Sequence, residues 1–499
     1  MKANGMRMAA NATDGALAVN PATGELIETF PWLDDLGREA ALTTAEAGFQ
    51  SWSAMTVDDR IAAILRVSRY FRDHAERFAR TMSAEMGKPI RQARAEVEKC
   101  AMLCAWYGDH GRAFLADEPT TVERQKAYVS FLPIGVVLGI MPWNYPLWQA
   151  MRCAVPVMLA GNALMLKHAP NVVRSALNIG EAFAAAGVPA GAFSVANLHQ
   201  DAIAEVIADG RIAAVSFTGS VQAGSAVAAA AGRNVKKAVL ELGGSDPFIV
   251  LADADLDRAV PAAVEARFQN TGQICIAAKR IIVEESVAAE FTRRFVEQVA
   301  ALRIGDPFDE DTYIGPMARR DLREQLHRQV LNTLAEGAQL LLGGSFVGTD
   351  RASYYAPTVL AGLTPAMTAF REETFGPVAA IAVARDADHA LAIANDSEFG
   401  LSGAIWSADV VRAKVAARKL RTGGVFINGY AASDPRTPMG GIKKSGFGRE
   451  LSYFGIREFV NAQLVWEDRL SSEERERAVS DADPKRQDAS CSDELGRSP

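Results

Sequence analysis

ALMLK (Ala163 to Lys167), VVRSALNIGEAFAAA (Val172 to Ala186), AFSVAN (Ala192 to Asn197), DAIAEVIAD (Asp201 to Asp209), IAAVSF (Ile212 to Phe217), VQAGSAVAAAA (Val221 to Ala231) and VKKAVL (Val235 to Leu240) follow one another with short Gly, Pro and Asn turns between them. The short apolar runs read as strands and the longer stretches of helical spacing as helices. Strands that alternate with helices are joined by crossovers, so the sheet is parallel and covered on both faces. That is the architecture of a nucleotide-binding domain.

A second alternating series begins at Pro247 with FIVL, continues through helices near Asp255 to Phe268 and Ser286 to Leu302, and ends with GGVFIN, Gly423 to Asn428. The fold class is therefore α/β, with two doubly wound α/β domains. Upstream, apolar residues from Asp34 to Phe114 recur at helical spacing, with Ile61, Ile64, Leu65, Ser68 and Phe71 as one stripe. Lys126 to Ile140 reads as two β-rich runs around Pro133-Ile134-Gly135, the composition of a hairpin. Gly455 to Trp466 alternates weakly as a late strand. From Ser471 the chain, SSEERERAVSDADPKRQDASCSDELGRSP, is too polar to bury a core and is expected to be a disordered tail.

A chain of 499 residues exceeds one compact core, which agrees with two or three units. Its net charge of −7, with no long basic run before the tail, lacks the footprint of a nucleic-acid binder. The cysteines, five in all at Cys100, Cys104, Cys153, Cys275 and Cys491, are odd in number and scattered, which points to a reducing, cytoplasmic setting. The N-terminal stretch MKANGMRMAANATDGALAVN has no continuous apolar core of the kind an export signal carries. Phe131 to Met151 is free of charge, but Pro133, Pro142 and Pro146 interrupt it, so a buried strand, a loop and a helix start are expected rather than a membrane span.

Three segments carry side chains suited to chemistry. Cys275 follows Asn270-Thr271-Gly272-Gln273-Ile274, a glycine-containing turn after a helix that lets a thiol face a cleft; taken alone, it reads first as a small buried apolar residue, as most free cysteines are. Glu241 ends a buried strand and precedes Leu242-Gly243-Gly244, at the carboxyl edge where open α/β sheets bind ligands. Asn144, in Met141-Pro142-Trp143-Asn144-Tyr145-Pro146, stands at a helix entrance, either as a turn residue or as an amide donor to an oxyanion. Gly219 and Gly224 open a helix after a strand but keep only the outer glycines of a dinucleotide fingerprint, a variant phosphate turn at most. GGIKKS at Gly440 to Ser445 fails as a phosphate loop because Lys443 stands where glycine is needed. Cys100 and Cys104 lie one helical turn apart without further ligands, so no metal site is expected.

MPWNYP, FTGS, ELGGSDPF, NTGQIC, EETFGPV and GGIKKSGFGRE, in this order, closely resemble the aldehyde dehydrogenase superfamily, over roughly Ala18 to Arg469. The resemblance implies a dinucleotide-binding domain at 18–125 and 141–246, a catalytic domain at 247–440, oligomerisation strands at 126–140 and 455–468, and the polar tail at 471–499. It implies that Cys275 is the nucleophile, Glu241 the general base, and the Asn144 amide with the Cys275 N–H the oxyanion hole. For the cofactor, NAD or NADP, it implies Lys167 at the adenosine ribose, Gly219 and Ser220 by the pyrophosphate, Glu373 on the nicotinamide ribose, and Phe375 and Trp143 along the channel. Many NAD-preferring relatives carry an acid where this chain has Pro170, so NADP is not repelled there, and His168 adds at most a partial positive charge. A homodimer or homotetramer is expected, without a nucleic-acid or membrane partner.

Asn144, Trp148 and Arg152 are spaced by four, one stripe if all three are helical. Over about 12 Å at about 1.5 Å per residue, an aldehyde with a distal carboxylate bridges the amide and the guanidinium. An arginine at this spacing, with KHAPN, CIAAKR and FINGYAASD, resembles succinate-semialdehyde dehydrogenases. The expected substrate is succinate semialdehyde, held by Arg152 with Trp148 and Ser433 as walls. Gln269 replaces a second arginine of some relatives, and Ala277 a second loop cysteine. Glutarate semialdehyde, neutral aldehydes, acyl transfer to coenzyme A, and a fold that has lost its activity are the alternatives.

Overall fold

The computed structural model describes residues 15–122, 125–349 and 351–467; the polar tail lies outside the described residues. The strands of the quoted stretch form a six-stranded sheet in the order Gly446–Phe447, Lys237–Glu241, Ile212–Thr218, Val136–Met141, Ala163–His168 and Phe193–Val195. All pairings are parallel except that of the two-residue edge strand at Gly446. Val136–Met141 has the next strand in sequence, Ala163–His168, on one side and Ile212–Thr218 on the other. The chain order reverses there, which makes the carboxyl ends of these strands the switch point where such sheets take ligands.

The second sheet has seven strands, ordered Gln339–Leu342, Thr358–Ala361, Val378–Ala384, Arg280–Glu284, Pro247–Val250, Ser402–Trp406 and Gly424–Ile427, with only the first antiparallel. Its central strands are buried, and Phe248, Ile281 and Ala379 pack one face against Val260, Phe291 and Phe295 of the covering helices. Ile249, Ile282 and Ala380 pack the other against Val330, Leu391 and Ala413. This alternation of faces is the period of two that a doubly covered sheet requires.

The hairpin expected at 126–140 is not formed. Gln125–Pro133 pairs with Glu118–Val122 and Val460–Glu467 in a separate three-stranded sheet, whereas Val136–Met141 lies in the middle of the six-stranded one. VVLGIM is apolar at every position and buried throughout, as suits a strand covered on both faces. The late strand is also shorter than expected, because Ser452–Glu458 is a helix and the strand begins at Val460. Buried Ser452, Gly455 and Ile456 recur at three and four, the helical period. Residues 115–132 and the described part from Asn461 form a unit of their own. The helical stripe falls on Ala63, Ile64, Val67, Ser68 and Phe71, with Leu65 exposed. No helix among the described residues is long and apolar enough to cross a membrane.

Candidate active site

Helix Leu256–Phe268 ends in a turn where Asn270 and Thr271 both take left-handed backbone angles, φ 53° and 56°. For non-glycine residues that costs on the order of 1–3 kcal/mol each, so surrounding bonds must hold it. The Asn270 side chain donates to the Asn144 carbonyl at 2.8 Å, its backbone N–H donates to Gln92 at 2.7 Å, and the Gln273 side chain accepts from Ala318 N–H at 2.9 Å. Beyond the turn, the fully buried Lys279 ammonium donates to the carbonyls of Ile274 (2.8 Å) and Cys275 (2.7 Å) and pairs with Glu373 at 3.2 Å. Cys275 is thus fixed from both sides while its side chain stays half-buried.

Asn144 sits in the turn between Val136–Met141 and helix Pro146–Leu159, and its amide donates to the Gln273 carbonyl at 3.0 Å. One amide hydrogen is engaged and the other remains for a negatively charged oxygen. Because the helix begins at Pro146, only Trp148 and Arg152 share the expected helical stripe. Asn144→Ala is expected to lower kcat by about 10²–10³-fold, measured by steady-state turnover.

Glu241 is buried at the end of Lys237–Glu241, and neither carboxylate oxygen has a hydrogen-bond partner. Burial pushes its carboxyl up to about 8, against the opposing pull of Arg152. The Arg152 guanidinium lies 3.9 Å from Glu241 and is ion-paired with buried Glu450. Gly440 completes this chamber at φ +151°, since a Cβ there would come within 2.9 Å of Glu241 Oε1. Burial also pushes the Cys275 thiol up to about 11, with Arg152 and Lys279 pulling the other way. A thiol held this high is protonated near neutrality, so attack needs a proton acceptor.

Two pockets meet at Gln149 and Cys275. The larger, about 460 Å³, is lined by Trp143, Asn144, Gly219, Ser220, Glu373 and Phe375 among others. It opens at the switch point, where Ser220 caps helix Val221–Arg233 and the helix N–H groups favour a phosphate. Glu373 is aimed by the Gly244 N–H at 3.1 Å and by Lys279, and a Cβ on Gly243 would run into its carboxylate. A cradle of backbone N–H groups, an oriented carboxylate and aromatic walls fits a dinucleotide. The smaller pocket, about 190 Å³, brings together Trp148, Arg152 and Ser433 with Lys99, Tyr145 and Tyr430.

Lys167 and Pro170 do not line either pocket. They lie at the carboxyl end of the neighbouring strand, with Lys167 in register with Ile140. His168 carries no charge toward a cofactor. Its Nε2 meets the Pro146 carbonyl at 2.7 Å, its Nδ1 accepts from Ala169 N–H at 2.9 Å, and burial lowers its pKa to about 4. With the folded value below the unfolded 6.5, its stabilisation is complete above pH 6.5 and disappears as pH falls towards 4. That loss is roughly 3 kcal/mol, and the urea midpoint of His168→Gln is expected to fall less steeply over this range.

Sequence reading missed Lys99, Gln149, Lys279, Tyr430 and Glu450. Lys279, Tyr430 and Glu450 lie within quoted motifs, but the ion-pair partners of Lys279 and Glu450, Glu373 and Arg152, are remote in sequence, and Lys99 stands on helix Ile90–Phe114 with no motif around it.

Residues 9–465 match the aldehyde dehydrogenase family. The succinate semialdehyde dehydrogenase [NAD(P)+] Sad of Escherichia coli K12 is 56% identical over 91% of this chain and 98% of that one. A probable succinate-semialdehyde dehydrogenase [NADP(+)] of Synechocystis is 45% identical over 90% of this chain and 98% of its own. Among solved structures, succinic semialdehyde dehydrogenase from Streptococcus pyogenes in complex with NADP+ superposes with a TM-score of 0.88 at 35% identity, covering 90% of this chain and 99% of that one. With its thiol held between two pockets beside a buried carboxylate, the chain belongs to the aldehyde dehydrogenase family.

Proposed function

We propose that this enzyme oxidises succinate semialdehyde to succinate with NAD or NADP. The observation that carries the reading is the position of Cys275 at the junction of the two pockets, one fit for a dinucleotide and the other small, with cations among its walls. The aldehyde carbon meets the Cys275 sulfur, and the thiol proton passes to the Glu241 carboxylate. The new oxyanion is received by the free N–H of Asn144 and the Cys275 backbone N–H. Oxidation of the adduct to a thioester needs a two-electron acceptor, which a nicotinamide bound in the larger pocket would supply. Trp143, Ser220, Glu373 and Phe375 hold it, with Gly219 at the phosphate turn and Lys167 and Pro170 towards the adenosine end. Once Glu241 has given that first proton up to solvent, it takes a proton from water as the water attacks the thioester and passes it to the departing Cys275 sulfur, so that the acid and the thiol are released.

The far end of the substrate enters the smaller pocket, beside Arg152, Trp148 and Ser433. Turnover of succinate semialdehyde, glutarate semialdehyde, butanal and benzaldehyde with each dinucleotide tests this. A preference for succinate semialdehyde of at least about tenfold in kcat/KM is expected. Arg152 also steadies Glu241, so Arg152→Ala is expected to slow every aldehyde; the diagnostic result is a collapse of the preference. A leading neutral aldehyde would overturn the substrate and leave the family chemistry intact.

The same reading makes the protein a cytoplasmic homodimer or homotetramer. It draws on the four described cysteines, all free, and on the strands Gln125–Pro133 and Val460–Glu467. Analytical ultracentrifugation that finds a monomer would overturn the assembly.

A further inference from the structure

The smaller pocket contains a second cation besides Arg152. Lys99 projects from helix Ile90–Phe114, and its ammonium donates to Ser433 Oγ at 2.8 Å and lies 4.1 Å from the centre of the Trp148 ring. Its placement is rigid because Glu96, one turn earlier on the same helix, accepts the N–H groups of Leu147 and Trp148, each at 2.9 Å. The helix bearing Lys99 and the helix bearing Arg152 are thereby locked together.

The two cations differ in what already faces them. Arg152 is ion-paired with Glu450 and lies 3.9 Å from Glu241. Lys99 has no carboxylate within ion-pair distance among the described residues, and the nearby Asp434 is engaged at 2.7 Å by Arg436. Ser433, whose hydroxyl oxygen accepts from Lys99, keeps its own hydroxyl proton for an incoming anion. A half-buried ammonium with an unmatched charge, beside an idle donor, is a site for an anion.

We propose that Lys99 is the residue that receives the substrate carboxylate, together with Ser433, and so supplies the second cation that Gln269 does not. This rests on the acidic aldehyde proposed above. Arg152 then acts chiefly as a positioning residue, holding Glu450 and Glu241 and adding its field to the same end of the pocket. The Lys99 ammonium is lowered to about 8 by burial and by Arg152, with Cys100, Glu96 and Asp434 opposing. Above that pH the free enzyme loses the charge a carboxylate needs, whereas a neutral aldehyde does not depend on it.

The test is the ratio of kcat/KM for succinate semialdehyde to that for butanal, in the wild type, Lys99→Met and Lys99→Arg. Methionine keeps the stem over Trp148 without the charge. The ratio is expected to fall at least about tenfold in Lys99→Met, mainly through KM for the acid, and to be largely kept in Lys99→Arg. A preference retained in Lys99→Met overturns the role of Lys99 and leaves the substrate reading standing. A wild type that does not prefer succinate semialdehyde overturns both. If Lys99→Met fails to fold, the wild-type ratio between pH 6 and 9.5 decides: a fall above about pH 8 supports the proposal, and a flat ratio overturns it.

Discussion

Cys275→Ala is expected to lower aldehyde oxidation by at least about 10⁴-fold in kcat, since none of the other described thiols can take its place. Cys100, Cys104 and Cys153 are buried, and burial raises the thiols of Cys104 and Cys153 to about 12. Among the described cysteines, only Cys275 borders the two pockets. Binding of the dinucleotide, followed by quenching of tryptophan fluorescence, is expected to persist, because Glu373 and Ser220 are held by bonds that do not involve the thiol. Activity within tenfold of the wild type would place the nucleophile elsewhere.

Glu241→Gln is expected to lower kcat by about 10²–10⁴-fold, the usual contribution of a positioned base. The sign of the pH dependence follows from burial. A carboxyl raised to about 8 is mostly protonated at neutrality, so wild-type activity should climb as pH rises through 8. The glutamine variant should lack that limb while keeping a folded chamber, since Gly440 leaves room for an amide of the same shape. Equal activity at pH 7 and pH 9 in the wild type would remove Glu241 as the base. Turnover of the variant restored by coenzyme A, and not by raised pH, would point to acyl transfer instead.

Most strands of the nucleotide-type sheet were legible because each is a short apolar run bounded by turn residues, but Val136–Met141 and the two-residue Gly446–Phe447 were not placed in it, and its switch point was not located. The errors came where a run had to be assigned to one sheet or another. Val136–Met141 and Gln125–Pro133 are adjacent in sequence, and only the fully apolar character of the first tells that it leaves the second. Cys275, Glu241, Asn144 and Glu373 lie in motifs and could be named from them. Lys99 could not, because a lysine on an amphipathic helix looks like any solvated residue until the fold puts a tryptophan face under it. Arg152 was legible as a residue of interest, yet its bond to Glu450 joins positions nearly three hundred residues apart.

The left-handed turn at Asn270 and Thr271 has a bearing on heat. Its geometry is unfavourable by itself and persists only while Gln92, Gly315 and Ala318 keep their grip. Loosening any of these walls lets the turn relax to an ordinary conformation long before either sheet comes apart. Warming should therefore silence the enzyme several degrees below the temperature at which its circular dichroism melts, and brief cooling should bring the activity back.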